Sequence, residues 1–339
     1  MRFQRDLSRH RSIGVVALLL SAVLVAQPAS AEVRGADIIG GRAISADPAI
    51  MALAPDVVTP SAILETSDGQ VLWARDDDAE RAMASTTKIM TAIVVLDSVD
   101  DLDELAIVPS EATRVGEAGV GLQLAQTLSV RQLLEAMLVH SGNDAAITLA
   151  VHVGGTVDGF VKLMNEKASG LSLTHTRFTN PHGLDEAGHH TTARDLATMA
   201  QYAMANPVFR EMVGKRSTVV QAGGTLKRFD TSNKLLGSYE GATGVKTGWT
   251  DEAGYCLVAS AERGGIELFV VVLGTSSENA RFVQSKRLLD WGFAHYSERA
   301  VTSVNETAAL VAVNDYLDVS VPAIVAETTS TPVFDLLGE

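Results

Sequence analysis

Apolar positions along the chain change period twice. Between residues 61 and 75, SAILETS and QVLWAR flank Asp68-Gly69, a pattern that predicts a β-hairpin. The period then lengthens to that of a helix. Ser85–Ser98 carries one apolar face behind a run of Ser and Thr that can cap its start. Val130–Val139, Ala145–Val153, Val157–Ala168 and Thr192–Ala205 continue the helical pattern. Beyond about residue 215 strands return: Ser217–Gln221 and Thr225–Phe229 flank Gly223-Gly224, and Gly254–Glu262 and Ile266–Gly274 flank Gly264-Gly265. Ser277–Tyr296 closes the series as an amphipathic helix. The predicted class is α/β (α+β): an antiparallel sheet built from both chain ends, flanked by helices, with an all-helical block inserted.

The ends of the chain follow other rules. Arg2, Arg5, Arg9 and Arg11 precede an apolar run from Ile13 to Ala26, and Ala29-Ser30-Ala31 follows as a small-x-small site. Residues 1–31 therefore read as a signal peptide cut before Glu32, since the run is short for a bilayer span of about 20 residues. Residues 32–56, rich in Ala, Gly, Pro and Asp, read as a flexible leader. Residues 57–296 are expected to form the main domain. The 297–339 segment holds strand-like pieces, AALVAV and YLDVSVPAI, too short to keep a core of their own.

Composition narrows the function. Apolar content of 46% with 20% charged residues is that of a globular protein. Loss of residues 1–31 removes four of 27 basic and one of 41 acidic side chains, so 23 face 40. An acidic surface disfavours nucleic acid and anionic lipid as partners. No tail anchor is visible after cleavage. Cys256, the single cysteine, lies in an apolar strand and reads as a packing residue.

Three short motifs carry the chemistry: Ser85-Thr86-Thr87-Lys88, Ser141-Gly142-Asn143 and Lys246-Thr247-Gly248. S-x-N occurs three times, but only Ser141–Asn143 lies between the single S-x-x-K and the single K-T-G. A serine hydroxyl needs a base to become a nucleophile, and a residue three positions on shares its helix face. Lys88 can be that base only if burial and a second cation lower its pKa, and Lys246 can supply the cation. At the 141–143 turn a hydroxyl can relay a proton and an amide can hold a peptide carbonyl. Gly244–Thr250 reads as a strand on which Gly248 allows close approach, while Thr247 and Thr250 offer hydroxyls to a carboxylate.

With these motifs the chain resembles the low-molecular-mass penicillin-binding proteins, serine D-Ala-D-Ala carboxypeptidases, over about residues 57–296. The stretches Leu138–Ala145, Thr179–Leu184, Thr191–Asp195 and Ala253–Tyr255 extend the likeness. It implies a penicillin-binding/β-lactamase-like transpeptidase fold that acts without a cofactor on peptidoglycan stem peptides and is acylated by β-lactams. It further implies Ser85 as the acylated residue, Lys88 as its base, and Ser141, Asn143, Lys246 and Thr247 lining the cleft. Backbone N–H groups of Ser85 and Trp249 would form an oxyanion hole, and Arg281 would help hold the substrate's terminal carboxylate. An exported location, in the periplasm, in the cell wall or secreted, follows from the signal peptide.

Two departures stand out. The all-β C-terminal domain common in the family is reduced here to about 40 residues, and an arginine of some members aligns near Ser232. Removal of the terminal D-Ala is the expected reaction, with cross-link endopeptidase activity as the alternative. A β-lactamase is disfavoured by S-G-N in place of S-D-N and by the lack of E-x-x-L-N between Ser141 and Lys246. A non-catalytic wall-binding module would not need a nucleophile and base. His182, His189, His190 and Asp185 lack H-E-x-x-H spacing, so no metal is expected.

Overall fold

The computed structural model describes residues 37–40, 42–43, 53–302, 307–312, 320–326 and 328–336. The expected signal peptide lies outside these residues. In chain order the first half comprises β1 (Ile38–Ile39), β2 (Arg42–Ala43), β3 (Ser61–Thr66), β4 (Val71–Arg75), α1 (Lys88–Ser98), β5 (Leu105–Ile107), β6 (Thr127–Ser129), α2 (Val130–Val139), α3 (Asn143–Gly154) and α4 (Val157–Gly170). There follow α5 (Ala193–Met204), α6 (Pro207–Val213), β7 (Ser217–Ala222), β8 (Thr225–Asp230), β9 (Ala242–Thr250), β10 (Gly254–Arg263), β11 (Ile266–Thr275) and α7 (Glu278–His295). β12 (Tyr296–Thr302), β13 (Thr307–Ala312), β14 (Ser320–Ile324) and β15 (Thr329–Phe334) complete the series.

A seven-stranded sheet runs β2-β1-β4-β3-β11-β10-β9, antiparallel throughout. Its centre joins the two ends of the main domain, with Leu268 opposite Thr66 and Leu273 opposite Ser61. All six residues of β3 are buried, which fits a strand covered on both faces. Alternate side chains feed two cores. Ile63, Val258, Val271 and Leu273 face the helical block, while Leu64, Leu257, Val270 and Val272 pack with Phe282, Leu288 and Leu289 of α7. Cys256 lies in the first core, its thiol pushed up to about 11 by burial. This is the expected mixed fold of sheet and inserted helices.

Local chemistry sets the helix starts. Ser129 and Gln132 close a reciprocal capping box on α2, and Thr156, Thr192 and Ser277 accept from the first turns of α4, α5 and α7. The 85–98 helix begins later than its pattern predicts. Ser85 sits on a 3₁₀ turn, Ala84–Thr87, and α1 starts at Lys88. Thr86 and Thr87 do not cap; their hydroxyls donate back to the carbonyls of Met83 and Ala84 at 2.6 and 2.8 Å. That local competition is why the turn is tighter than an α-helix.

The segment read as a flexible leader is in part ordered. Ile38 and Ile39 pair with Ala74 and Trp73 of β4, because an apolar pair can cover Trp73 at the sheet edge. The C-terminal strands form two separate ladders, β12 with β15 and β13 with β14. The first is tied to α7: Asp335 N donates to the His295 carbonyl at 2.7 Å, and the Trp291 and Phe334 rings lie 5.7 Å apart. Among the described residues no single helix is long and apolar enough to cross a membrane.

Gly292 fixes how closely α7 lies on the sheet. A Cβ there would stand 2.7 Å from Leu268 Cδ1 and 3.0 Å from Leu64 Cδ2. Overpacking at such a site costs about 1–3 kcal/mol. Gly292→Val should therefore lower Tm by roughly 3–10 °C in calorimetry. An unchanged Tm would mean that α7 can shift outward at no cost.

Candidate active site

The turn that carries Ser85 is pinned from two sides by backbone. On one side Gly183 (φ +90°) approaches so closely that a Cβ would fall 2.0 Å from the Ala84 carbonyl oxygen. On the other, β9 passes at Gly248, where a Cβ would lie 3.0 Å from the Ser85 backbone N and 3.1 Å from the Met83 oxygen. Only glycine lets both segments press on one turn. Ser85 is thus held between the P-H-G-L loop and the K-T-G strand.

Lys88 points back under this turn and is fully buried. Its Nζ lies 2.9 Å from Ser85 Oγ, 2.6 Å from Asn143 Oδ1 and 2.5 Å from the His182 carbonyl oxygen. All three partners are uncharged. Burial pushes the amine well below the usual lysine range, the Lys246 cation pushes the same way, and Asp144 opposes both. Ser85, Lys88 and Asn143 therefore meet, although 55 residues separate the last two.

Ser141 adopts φ +75°, turning the chain from α2 into α3. Its hydroxyl accepts from Lys246 Nζ at 3.0 Å. Asn143 opens α3, but its Nδ2 donates to the carbonyls of Gly116 and Glu117 at 3.3 and 3.1 Å. Both amide hydrogens are committed to the loop beside it. Asp144, which had no expected role, accepts from the backbone N–H groups of Val120, Gly121 and Leu122 at 2.9–3.0 Å.

On β9, Lys246 is buried and also donates to the Thr247 carbonyl at 2.9 Å. Burial, and then the Arg281 cation, lower it to about 7. Thr247 Oγ1 is hydrogen-bonded to Ser232 Oγ. Trp249 remains half-exposed beside Tyr255, with ring centroids 5.8 Å apart. Thr250 does not join the group. Its hydroxyl donates to Asp185 Oδ1 at 2.6 Å and accepts from Ala253 N at 3.0 Å, which tightens the end of β9. Arg281 reaches from α7 to the Gly248 carbonyl at 3.0 Å and lies against the Phe282 and Tyr255 rings.

The histidines are used otherwise. His182 and His189 are pushed down to about 3 and about 4, in each case first by burial. His189 bonds Thr87 Oγ1 at 2.8 Å and accepts from Thr179 N at 3.0 Å. Among the described residues no group of His, Cys, Asp or Glu is placed to hold a metal ion.

A family model described as D-alanyl-D-alanine carboxypeptidase matches residues 49–277, which include every residue of this cluster except Arg281. The chain belongs to the D-alanyl-D-alanine carboxypeptidase family. The carboxypeptidase DacF of Bacillus subtilis is 34% identical over 257 residues, 74% of this chain and 66% of DacF. DacB2 of Mycobacterium tuberculosis is 36% identical over 247 residues, 71% of this chain and 84% of DacB2. The chain thus spans about two thirds of the length of DacF. In three dimensions the carboxypeptidase DacD of Francisella tularensis matches with a TM-score of 0.72 at 25% identity, over 83% of this chain and 82% of that one. The Streptomyces K15 DD-transpeptidase matches at 0.68 and 33% identity, over 71% of this chain and 98% of that one. Sequence and fold thus place the chain in the same carboxypeptidase family.

Two outcomes follow for this family member. Gly248→Ala would press a methyl group onto the Ser85 turn. Acylation of Ser85 by a labelled penicillin should fall at least about tenfold, because misplacement by a fraction of an ångström is enough. Near-wild-type acylation would show that the turn can give way. The second concerns Lys246, lowered from 10.5 to about 7. Between those values the unfolded chain binds a proton that the folded chain has lost, so stability rises with pH across the window. The Tm of the wild type should climb relative to Lys246→Met between about pH 7 and 10. A constant gap would mean that Lys246 titrates as it does in water.

Proposed function

We propose that the chain is an exported serine D,D-carboxypeptidase that removes the terminal D-Ala from peptidoglycan stem pentapeptides. Residues 57–296 form its catalytic domain. The observation that carries the reading is the set of partners around Lys88. A neutral amine has two protons to donate and one lone pair. Asn143 Oδ1 and the His182 carbonyl take the two protons, which leaves the lone pair for the Ser85 hydroxyl proton. A protonated lysine in the same place would be a buried cation with no ion pair among the described residues.

In the proposed cycle Ser85 Oγ attacks the carbonyl carbon of the penultimate D-Ala as its proton passes to Lys88. The developing oxyanion lies against the backbone N–H groups of Ser85 and Trp249. Collapse of the tetrahedral intermediate expels D-Ala, whose nitrogen takes the proton held on Lys88, relayed through the Ser141 hydroxyl that Lys246 supports at 3.0 Å, so that Lys88 is neutral again. Water then releases the shortened peptide from Ser85. Thr247, Gly248, Trp249 and Ser232 line the wall that meets the terminal carboxylate. Arg281 acts there through the Gly248 carbonyl and its positive field, since its side chain is only 6% exposed. Thr250 supports the strand end. A strained β-lactam amide would acylate Ser85 by the same route.

An amine can replace water as acceptor, and the likeness to the Streptomyces DD-transpeptidase keeps that second reading open. Location outside the cytoplasmic membrane fits both readings and the N-terminal sequence.

The test is covalent. Labelled penicillin should add one acyl group at Ser85, seen by intact mass and peptide mapping, and Ser85→Ala should abolish it. Lys88→Arg keeps a cation that stays protonated, so acylation should drop at least about 100-fold. Labelling that survives Ser85→Ala would sink the assignment. Incubation with a pentapeptide, a cross-linked dimer and an amine acceptor would then separate hydrolysis of terminal D-Ala from endopeptidase and transfer activity.

A further inference from the structure

Asp144 follows the S-G-N motif and is buried at 4% exposure in the first turn of α3. Its Oδ1 accepts from Val120 N at 3.0 Å and from Ala145 N at 2.9 Å, and its Oδ2 from Gly121 N and Leu122 N at 2.9 and 3.0 Å. One carboxylate thus gathers three consecutive N–H groups of a loop that has no regular structure of its own. A few residues upstream, the same loop offers the Gly116 and Glu117 carbonyls to Asn143 Nδ2, and Asn143 N donates to the Ala118 carbonyl at 3.0 Å. Asn143 and Asp144 therefore grip the two halves of a single strap. With Nδ2 facing those carbonyls, the Asn143 amide can turn only its oxygen to Lys88.

We propose that Asp144 is a positioning residue for catalysis: by clamping the 116–122 strap it fixes the Asn143 amide against Lys88. The inference rests on Lys88 being the base. Four charged or titratable groups interact electrostatically with that amine: Lys246 of β9, Asp144 of α3, and His182 and His189 of the loop before α5. Both histidines are neutral above about pH 5, given values of about 3 and about 4. Asp144 is the only anion of the four, so its removal lowers the affinity of Lys88 for a proton.

The test is the pH profile of Ser85 acylation by a labelled penicillin. Asp144→Asn should reduce the plateau rate about tenfold or more and move its acid limb to lower pH, by roughly half a unit or more. Asp144→Glu keeps the charge in a displaced position, so the plateau should fall while the acid limb stays. A residue that merely supports the fold would lower both plateaus with neither limb displaced, and that result overturns the proposal. Amide hydrogen exchange of the wild type tests the clamp even where a variant fails to fold. Val120, Gly121 and Leu122 should exchange as slowly as the interior of α3, and fast exchange there also overturns it. A wild type that is not acylated at Ser85 at all would instead refute the functional reading.

Discussion

A lysine amine shut away from water, bonded to three uncharged groups, is tolerable only if it can be neutral. That condition at Lys88 shapes much of the molecule around it. It requires two acceptors from distant parts of the chain, the Asn143 amide at the start of α3 and the carbonyl at His182, and leaves the lone pair to the Ser85 turn. It also needs a second amine, Lys246, that burial and Arg281 bring near neutrality. Two cations kept at full charge this close would repel strongly in a dry interior. The two lysines and Arg281 thus form a graded series. Each lowers the next, and Asp144 is the counterweight that stops Lys88 from losing all affinity for a proton.

Backbone proximity imposes the second constraint. Ser85 cannot be reached by β9 and by the P-H-G-L loop at once unless neither carries a side chain at the crossing. Gly248 and Gly183 meet that condition from opposite sides. The sheet supplies the rigidity, because β9 is an edge strand backed by the long β10 and β11 pair. An edge strand usually invites unwanted pairing. Here the Ser85 turn and the cleft lie beside it, so an extended peptide can add to it while the reacting serine stands within reach.

The layout of the fold was legible from the pattern, because β10 and β11 carry unbroken apolar runs around a Gly-Gly turn and α2 and α5 repeat with little interruption. The meeting of Ser85, Lys88, Ser141, Asn143 and Lys246 was legible from motif order. What escaped was whatever depends on contacts between remote residues. Nothing local marks Thr250 as a partner of Asp185, or directs the Asn143 amide to Gly116 and Glu117. No local signal distinguishes Asp144 from any acid at a helix start, where a carboxylate suits the dipole without further duty. The late start of α1 arose from two threonine hydroxyls turning back on their own turn, a choice that propensity does not foresee. Ile38-Ile39 was hidden because two residues are too short to show a period.

The pairing of β3 with β11 sets Ser61 opposite Leu273, and just before it the Thr59 hydroxyl donates to the Leu273 carbonyl across 214 positions of sequence. Everything between them, including the whole helical block, emerges before the centre of the sheet can close. The first hairpin, β3 and β4, therefore waits with one long apolar edge open for most of the time the chain takes to appear. Such a strand offers itself to any neighbour during that interval. The fold is thus of a kind that gains from a holding partner, or from delivery of the whole chain at once, and a product cut short before Thr275 would leave Ser61–Thr66 as a sticky end.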